Sequence, residues 1–363
     1  MQNKGGGAEG ETASPLKGGV VRDLPPNGRG PLNLPFLGIS VDESAWVLAT
    51  GPMQGVNSAK HSHNWGYYPV ADIEYELGTP VGVGVRAWCP FFPGDIENSQ
   101  LPGAVFEVAV RNLKQSNQEI TLAMSFPGTG TVEQSRNLTR REQAEGRFRG
   151  VVVQSANVGY SLGAIDEKNI RLGGELGDDG DAWARNHSTL PPATKDNSGA
   201  SAALDFVLKP EEYRVVRLAL AWHAREWQSE FPYGLKLSKY TNHYTESYSS
   251  ALDAAHKIAE NHESLLRRIL AWQQVIYSED DLPVWLRDQP VNILHLITEE
   301  SFWQSPSRPW ATGVTRVGFF PWSRVRSRRD SNPAFLVIGM GISLSFISFL
   351  TWRGLRCGHT ASK

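Results

Sequence analysis

The sequence predicts a mainly β protein, an antiparallel β-sandwich followed by a few α-helices, and three observations carry that prediction. From about Asp42 to Ala224 apolar residues recur with period two, the signature of strands with one buried face. No helical stretch separates these runs, which argues against alternating βαβ units and for a sandwich. At Tyr244 the period changes to three and four, the stripe of an amphipathic helix.

Taken in order, residues 1–40 are rich in Gly and Pro and read as an extended lead-in, because Pro removes backbone donors and Gly raises the entropy cost of ordering. Within the β region Phe106, Val108 and Val110 alternate with Glu107, Ala109 and Arg111, and Ile120, Leu122, Met124 and Phe126 with Thr121, Ala123 and Ser125. Both read as half-buried strands, as do Trp65 to Leu77, Val81 to Phe92, Arg147 to Ser155 and Tyr213 to Trp222, each followed by turn residues. Gly173 to Ser201 is polar and turn-rich and reads as a long loop with some mobility. The helical stripe runs from Leu252 through Ile258, His262, Leu265 and Ile269 to Trp272, with Ser250 and Asp253 placed as a capping box. A second helix begins at Leu282-Pro283 and carries Trp285, Leu286, Leu294, Ile297 and Phe302, with an irregularity expected over Asp288 to Val291 because of Pro290.

Composition bounds the function. The chain has 363 residues, with 36 Lys plus Arg against 38 Asp plus Glu, a balance that excludes a polybasic nucleic-acid binder. Two cysteines, Cys89 and Cys357, make no disulfide framework. The first residues hold no apolar signal region, so a cytoplasmic body is expected. Residues 304–363 differ in kind: after Glu300 the only acid is Asp330, while Arg324, Arg326, Arg328 and Arg329 precede an uncharged run at 334–352 of near-membrane-spanning length. That run makes membrane contact a further expectation.

Few residues offer chemistry. His61 and His63 would share a strand face but have no third ligand nearby, so no metal site is expected. Cys89, between Trp88 and Pro90, reads as a small buried apolar residue, and no Gly-rich phosphate loop or G-x-S-x-G elbow occurs, so no cofactor is expected. Glu299 and Glu300 are adjacent and point about 100° apart on a helix. Asp178, Asp179 and Asp181 read as a solvated cluster, and Asp95 with Glu97 sits in a Pro/Gly loop where a turn-stabilising role competes with ligand contact. No catalytic residue is assigned. Trp65, Tyr67, Tyr68, Trp88 and Trp183 are candidates for stacking on sugar rings, against the alternative that they are core. Trp65, Trp88 and Asp95 are retained as weak sugar-contact candidates. Asn137-Leu-Thr139 and Asn186-His-Ser188 are glycosylation sequons.

The stretches Gly28 to Ser40, Gly66-Tyr-Tyr-Pro-Val-Ala-Asp-Ile-Glu-Tyr75 and Val85-Arg-Ala-Trp-Cys-Pro-Phe-Phe-Pro-Gly-Asp95 resemble the N-terminal domain of glycoside hydrolase family 116. So do Asn98 to Phe106 and Leu218-Ala-Leu-Ala-Trp-His223. Further on, Tyr240-Thr-Asn-His-Tyr244, Ala254 to Tyr277 and Leu282 to Trp303 resemble that family's passage into its catalytic (α/α)6 barrel. The resemblance implies a sandwich over residues 41–235 and the helical start of the barrel over 236–303, followed by a non-family tail.

It also implies retaining hydrolysis of β-glucosides or glucosylceramide in full-length relatives. That chemistry uses two carboxyl groups about 5–5.5 Å apart. The family pattern stops at Trp303, before the catalytic glutamate and aspartate, so a catalytically incomplete fragment is expected, the frame shifting or an unspliced segment beginning between Phe302 and Thr312. A noncatalytic carbohydrate-binding module and a membrane-anchored interaction protein stay open beside it.

Overall fold

The computed structural model describes residues 34–128, 138–144, 146–155, 158–228, 239–294, 301–305 and 318–321. It is mainly β: two antiparallel-rich sheets form a sandwich, followed by a few helices. The smaller sheet contains β1 (Leu37–Val41), β2 (Ser44–Val47), β3 (Asn57–Ser58), β8 (Gln118–Phe126), β12 (Arg171–Gly173) and β13 (Ala200–Leu208), in the order β12-β13-β8-β1-β2-β3. Only its β2–β3 pair is parallel. The larger sheet holds eight strands: β4 (His61–Tyr67), β5 (Val70–Glu76), β6 (Val81–Trp88), β7 (Gly103–Asn112), β9 (Thr139–Gln143), β10 (Phe148–Ser155), β11 (Val158–Ile165) and β14 (Tyr213–Ala224). Their order is β4-β5-β6-β7-β14-β11-β10-β9.

Period two explains the central layer. Phe106, Val108, Leu218 and Leu220 from the large sheet meet Ile39, Leu122, Met124 and Leu204 from the small one in a single core. The predicted strand Trp65 to Leu77 is two strands, β4 and β5, because the chain reverses at Tyr68-Pro69, a cis peptide. β8 is not half-buried: Thr121, Ala123 and Ser125 are covered as well.

The cover comes from the segment read as a mobile loop. Asp179 caps the short helix α2 (Gly180–Ala184) by accepting a hydrogen bond from the Ala182 amide, and Trp183 drops onto Val47, Ala123 and Ala203. Trp183 is fully buried, and its indole donates to the Gly177 carbonyl. Polar residues turned the sequence reading toward solvent, whereas one aromatic anchors the segment. The predicted lead-in over 1–40 also overran, since β1 is a buried strand paired on both sides by β2 and β8. Gly38 there marks close packing, not disorder: a Cβ on it would lie 2.6 Å from the Trp183 ring.

The long helix α3 (Ala251–Tyr277) lies across the outer face of the large sheet, opposite the sandwich core. Ser250 caps it, accepting from the Asp253 amide, while Asp253 accepts from the Ser249 amide, so the capping box forms with its return bond one residue earlier. The apolar stripe is thereby partnered: Ala254, Ala255, Ile258, Ala259, Leu265 and Ile269 pack on Trp88, Val105, Phe148, Ile165, Ala219 and Ala221. α4 (Val284–Asn292) starts after Pro283 and continues through Pro290 to Asn292, so the irregularity expected at Asp288 to Val291 is a helix end just beyond it. Buried Val291 and the Asn292 side chain hold that last turn against the body.

Phe302 is not helical. It lies in β17 (Ser301–Ser305), which joins β15 (Glu226–Gln228), β16 (Lys239–Asn242) and β18 (Gly318–Pro321) in a third sheet crossing the boundaries expected at 235 and 303. Ile297, Glu299, Glu300, Asn137 and the uncharged run at 334–352 lie outside the described residues. Among the described residues, no helix is long and apolar enough to cross a membrane.

Candidate functional site

The outer face of the large sheet is the most elaborated surface, and strand register arranges it in rows. One row reads Tyr67, Val70, Trp88, Val105 and Ala219 across β4, β5, β6, β7 and β14. Its central part is roofed by α3, which approaches so closely that a Cβ on Gly103 would lie 2.2 Å from Ile258 Cδ1. The neighbouring row reads Trp65, Asp72, Arg86, Glu107 and Arg217. Arg86 forks onto Asp72 at 2.7 and 2.9 Å, and Arg217 Nε donates to Glu107 at 2.9 Å.

Four side chains clamp the far end of the helical segment. Trp272 Nε1 donates to the Phe91 carbonyl at 3.1 Å, and Gln273 Nε2 donates to the Tyr67 and Tyr68 carbonyls at 2.6 and 3.0 Å. The Tyr68 amide donates to Asn292 Oδ1 at 3.0 Å. Arg268 stacks over Phe92, 4.2 Å from the ring centroid, and donates to Asp95 at 2.5 Å. The sequence reading placed Trp272 on the helical stripe but missed these contacts, although Gln273 carried a signal: it lies four residues after Ile269, a polar side chain on the buried stripe.

Each predicted contact residue has a definite place. Trp65 is 48% exposed and Tyr67 43%, both on the open side of β4. Trp88 and Trp183 are fully buried and Tyr68 nearly so, and none of these rings offers a face to a ligand. Asp95 caps the single-turn helix α1 (Ile96–Ser99), accepting from the Asn98 amide and side chain at 3.1 and 2.7 Å. Partial desolvation pushes its acidity the other way, but Arg268 and the Asn98 donors together hold its carboxyl below the usual carboxylate range. Asp95 therefore works as a cap and helix tether.

A depression of about 780 Å³ opens at one end of the small sheet and is lined by Asp42, Glu43, Glu119, Thr121, His187 and Asp205 among others. Asp205 is committed to Arg171 at 2.6 and 2.7 Å and to the Thr121 hydroxyl at 2.6 Å. Burial works against its ionised form, yet those hydrogen bonds lower its pKa on balance. Asn186, the first residue of the second sequon, is fully buried and accepts from Ser40 at 2.6 Å, so glycan attachment has no access to it. Cys89 is buried, and desolvation raises its thiol far above the reactive range. His61 and His63 share the exposed side of β4, with His63 Nε2 bonded to Glu76 at 3.0 Å. Among the described residues, no group of three or more His, Cys, Asp or Glu is placed to hold a metal ion.

Comparison with known proteins adds a number of structural likenesses and one family. A putative kojibiose phosphorylase from human microbiome shares 8% identity, with 74% of this chain and 28% of that one covered at a TM-score of 0.31. A GH36 α-galactosidase, AgaA from Geobacillus stearothermophilus, also shares 8% identity, with 55% and 29% covered at a TM-score of 0.20. At such scores neither carries an argument, and the chain spans less than a third of the length of either. The family model described as beta-glucosidase 2, glycosyl-hydrolase family 116 N-term, matches residues 42–265. That interval takes in most of both sheets and α3 as far as Leu265, whereas the resemblance in the sequence extends from Gly28 to Trp303. With well over half of its residues in that match, the chain belongs to glycosyl-hydrolase family 116 through its N-terminal domain.

Proposed function

We propose that the sandwich is a positioning domain of a β-glucosidase or glucosylceramidase type of enzyme, seating the first helices of an (α/α)6 catalytic domain and doing no glycosidic chemistry itself. The observation that carries this reading is the clamp on α3 and α4. Trp272, Gln273 and Asn292 bond to backbone groups of Phe91, Tyr67 and Tyr68, which fixes where and at what angle the helical chain leaves the sheet.

Carboxyl chemistry supports the noncatalytic part. A glycosidase acid needs a raised pKa so that it holds its proton near neutrality. Among the described residues, the carboxyls displaced by their surroundings, Glu76, Asp95, Asp166 and Asp205, are all displaced downward. β-Glucosides or glucosylceramide are the substrate class of the complete enzyme on this reading, and a catalytically incomplete chain follows from it. A cytoplasmic body with membrane contact through 334–352 belongs to the same proposal, supported by the uncharged run and its arginine flank.

The test is incubation of the purified chain with an aryl β-glucoside. Release of the phenol at the buffer rate is expected, and hydrolysis above it overturns the positioning reading.

A further inference from the structure

We propose that the open side of β4 and β5 is a glycan platform, on which a β-linked, gluco-configured oligosaccharide stacks across Trp65 and Tyr67. The two rings project on the same side of an edge strand, about 7 Å apart along it, and are nearly half exposed.

Both rings are held in place. Tyr67 meets Tyr277 edge-on with centroids 5.0 Å apart, and Gln273 fixes its carbonyl. His63 stacks beside Trp65 at 6.4 Å with planes 30° apart, and is itself bonded to Glu76 at 3.0 Å. Rings anchored in this way lose little freedom when a ligand covers them, which favours binding.

The flank of the platform is polar and carries an excess of carboxylates, Asp72, Glu74 and Glu76 on β5 against Arg86 on β6. Asp72 stands opposite Trp65 in the register, locked in the fork of Arg86, and the exposed Glu74 stands opposite His63. Carboxylate oxygens accept from hydroxyls and guanidinium N–H groups donate to them, a match for vicinal diols. Along the row the charges alternate from Asp72 to Arg86, Glu107 and Arg217, while Glu74 and Glu76 add negative charge beside it on β5, so the surface disfavours an anionic ligand. An uncharged polyol with flat apolar faces satisfies both halves of the surface. An all-equatorial β-glucosyl ring presents only axial C–H groups on its faces, and these meet the electron-rich face of an aromatic ring. An axial hydroxyl would press a polar group into that face. This inference goes beyond the positioning role and does not depend on it.

Cellotetraose titrated into the full chain, followed by tryptophan fluorescence and calorimetry, tests the platform. Saturable binding is expected, weakened at least tenfold in Trp65→Ala and in Tyr67→Ala. Tyr213→Ala, which removes a 61% exposed ring elsewhere on the same sheet, is expected to bind as the parent does. Melting of each variant at the parental temperature establishes that any loss is local. No binding by the parent chain, or unchanged binding by both Trp65→Ala and Tyr67→Ala, overturns the platform. Mannotetraose, with its axial hydroxyl, is expected to bind at least threefold more weakly, and equal binding overturns the gluco assignment.

Discussion

Replacing Gly103 with alanine tests how closely α3 sits on the sheet. The added Cβ would lie 2.2 Å from Ile258 Cδ1, 3.1 Å from the Leu220 carbonyl oxygen and 3.4 Å from Ala221 Cα. Only the first of these contacts is impossible, and the atom it meets is the end of a side chain that is fully buried. Overpacking of this kind costs about 1–3 kcal/mol. Restricting the unfolded chain offsets about 0.4–1 kcal/mol of it. Ile258→Val removes Cδ1 and alone costs about 0.5–1.5 kcal/mol through the space it leaves. In the double variant each change fills or relieves the other, so the two costs should fall short of additivity by about 1 kcal/mol or more. Equilibrium urea unfolding followed by far-UV circular dichroism measures all four corners of the cycle, provided the m-value is unchanged. Strict additivity would refute the argument, because it would mean that Ile258 does not stand over Gly103.

Two other outcomes follow from the same packing. Trp183→Ala should destabilise the chain by about 3–5 kcal/mol in thermal or urea melts, since a fully buried indole is lost from beneath α2; a loss below about 1 kcal/mol would mean that the segment is not anchored there. Asp95 should make stability fall in acid: its folded pKa lies below its unfolded one, so its contribution is complete above about pH 4 and disappears as pH drops through the folded value. Asp95→Asn should flatten that part of the urea midpoint against pH curve, and a curve identical to the parent would contradict the tether to Arg268.

The fold was legible where one residue face decides the structure. Period two in β7 and β14 and the three-four stripe of α3 both report a side chain's burial through its neighbours' spacing, and both elements form as read. It was illegible where a distant aromatic decides. Nothing local in 173–201 says that Trp183 will cover β8, or that Gly38 is glycine to receive it. The candidate face shows the same division. Alternation puts Trp65 and Tyr67 on one side of β4, but whether that side is open depends on where α3 stops, and Trp88 lies just inside the covered area. Trp272 and Gln273 donate to backbone carbonyls more than 180 residues away, at Phe91, Tyr67 and Tyr68, and a backbone partner leaves no trace in side-chain pattern. Trp272 stood on the apolar stripe and Gln273 interrupted it with a polar group, but neither shows which backbone it meets.

Amide hydrogen exchange across α3 tests the central claim most directly, since it asks whether the sandwich seats the helix. If it does, the amides from Ile258 to Ile269 open only with the sheet beneath them and are protected to the same degree as those of β14. Exchange in that stretch as fast as in a free helix, with β14 still protected, would contradict the account.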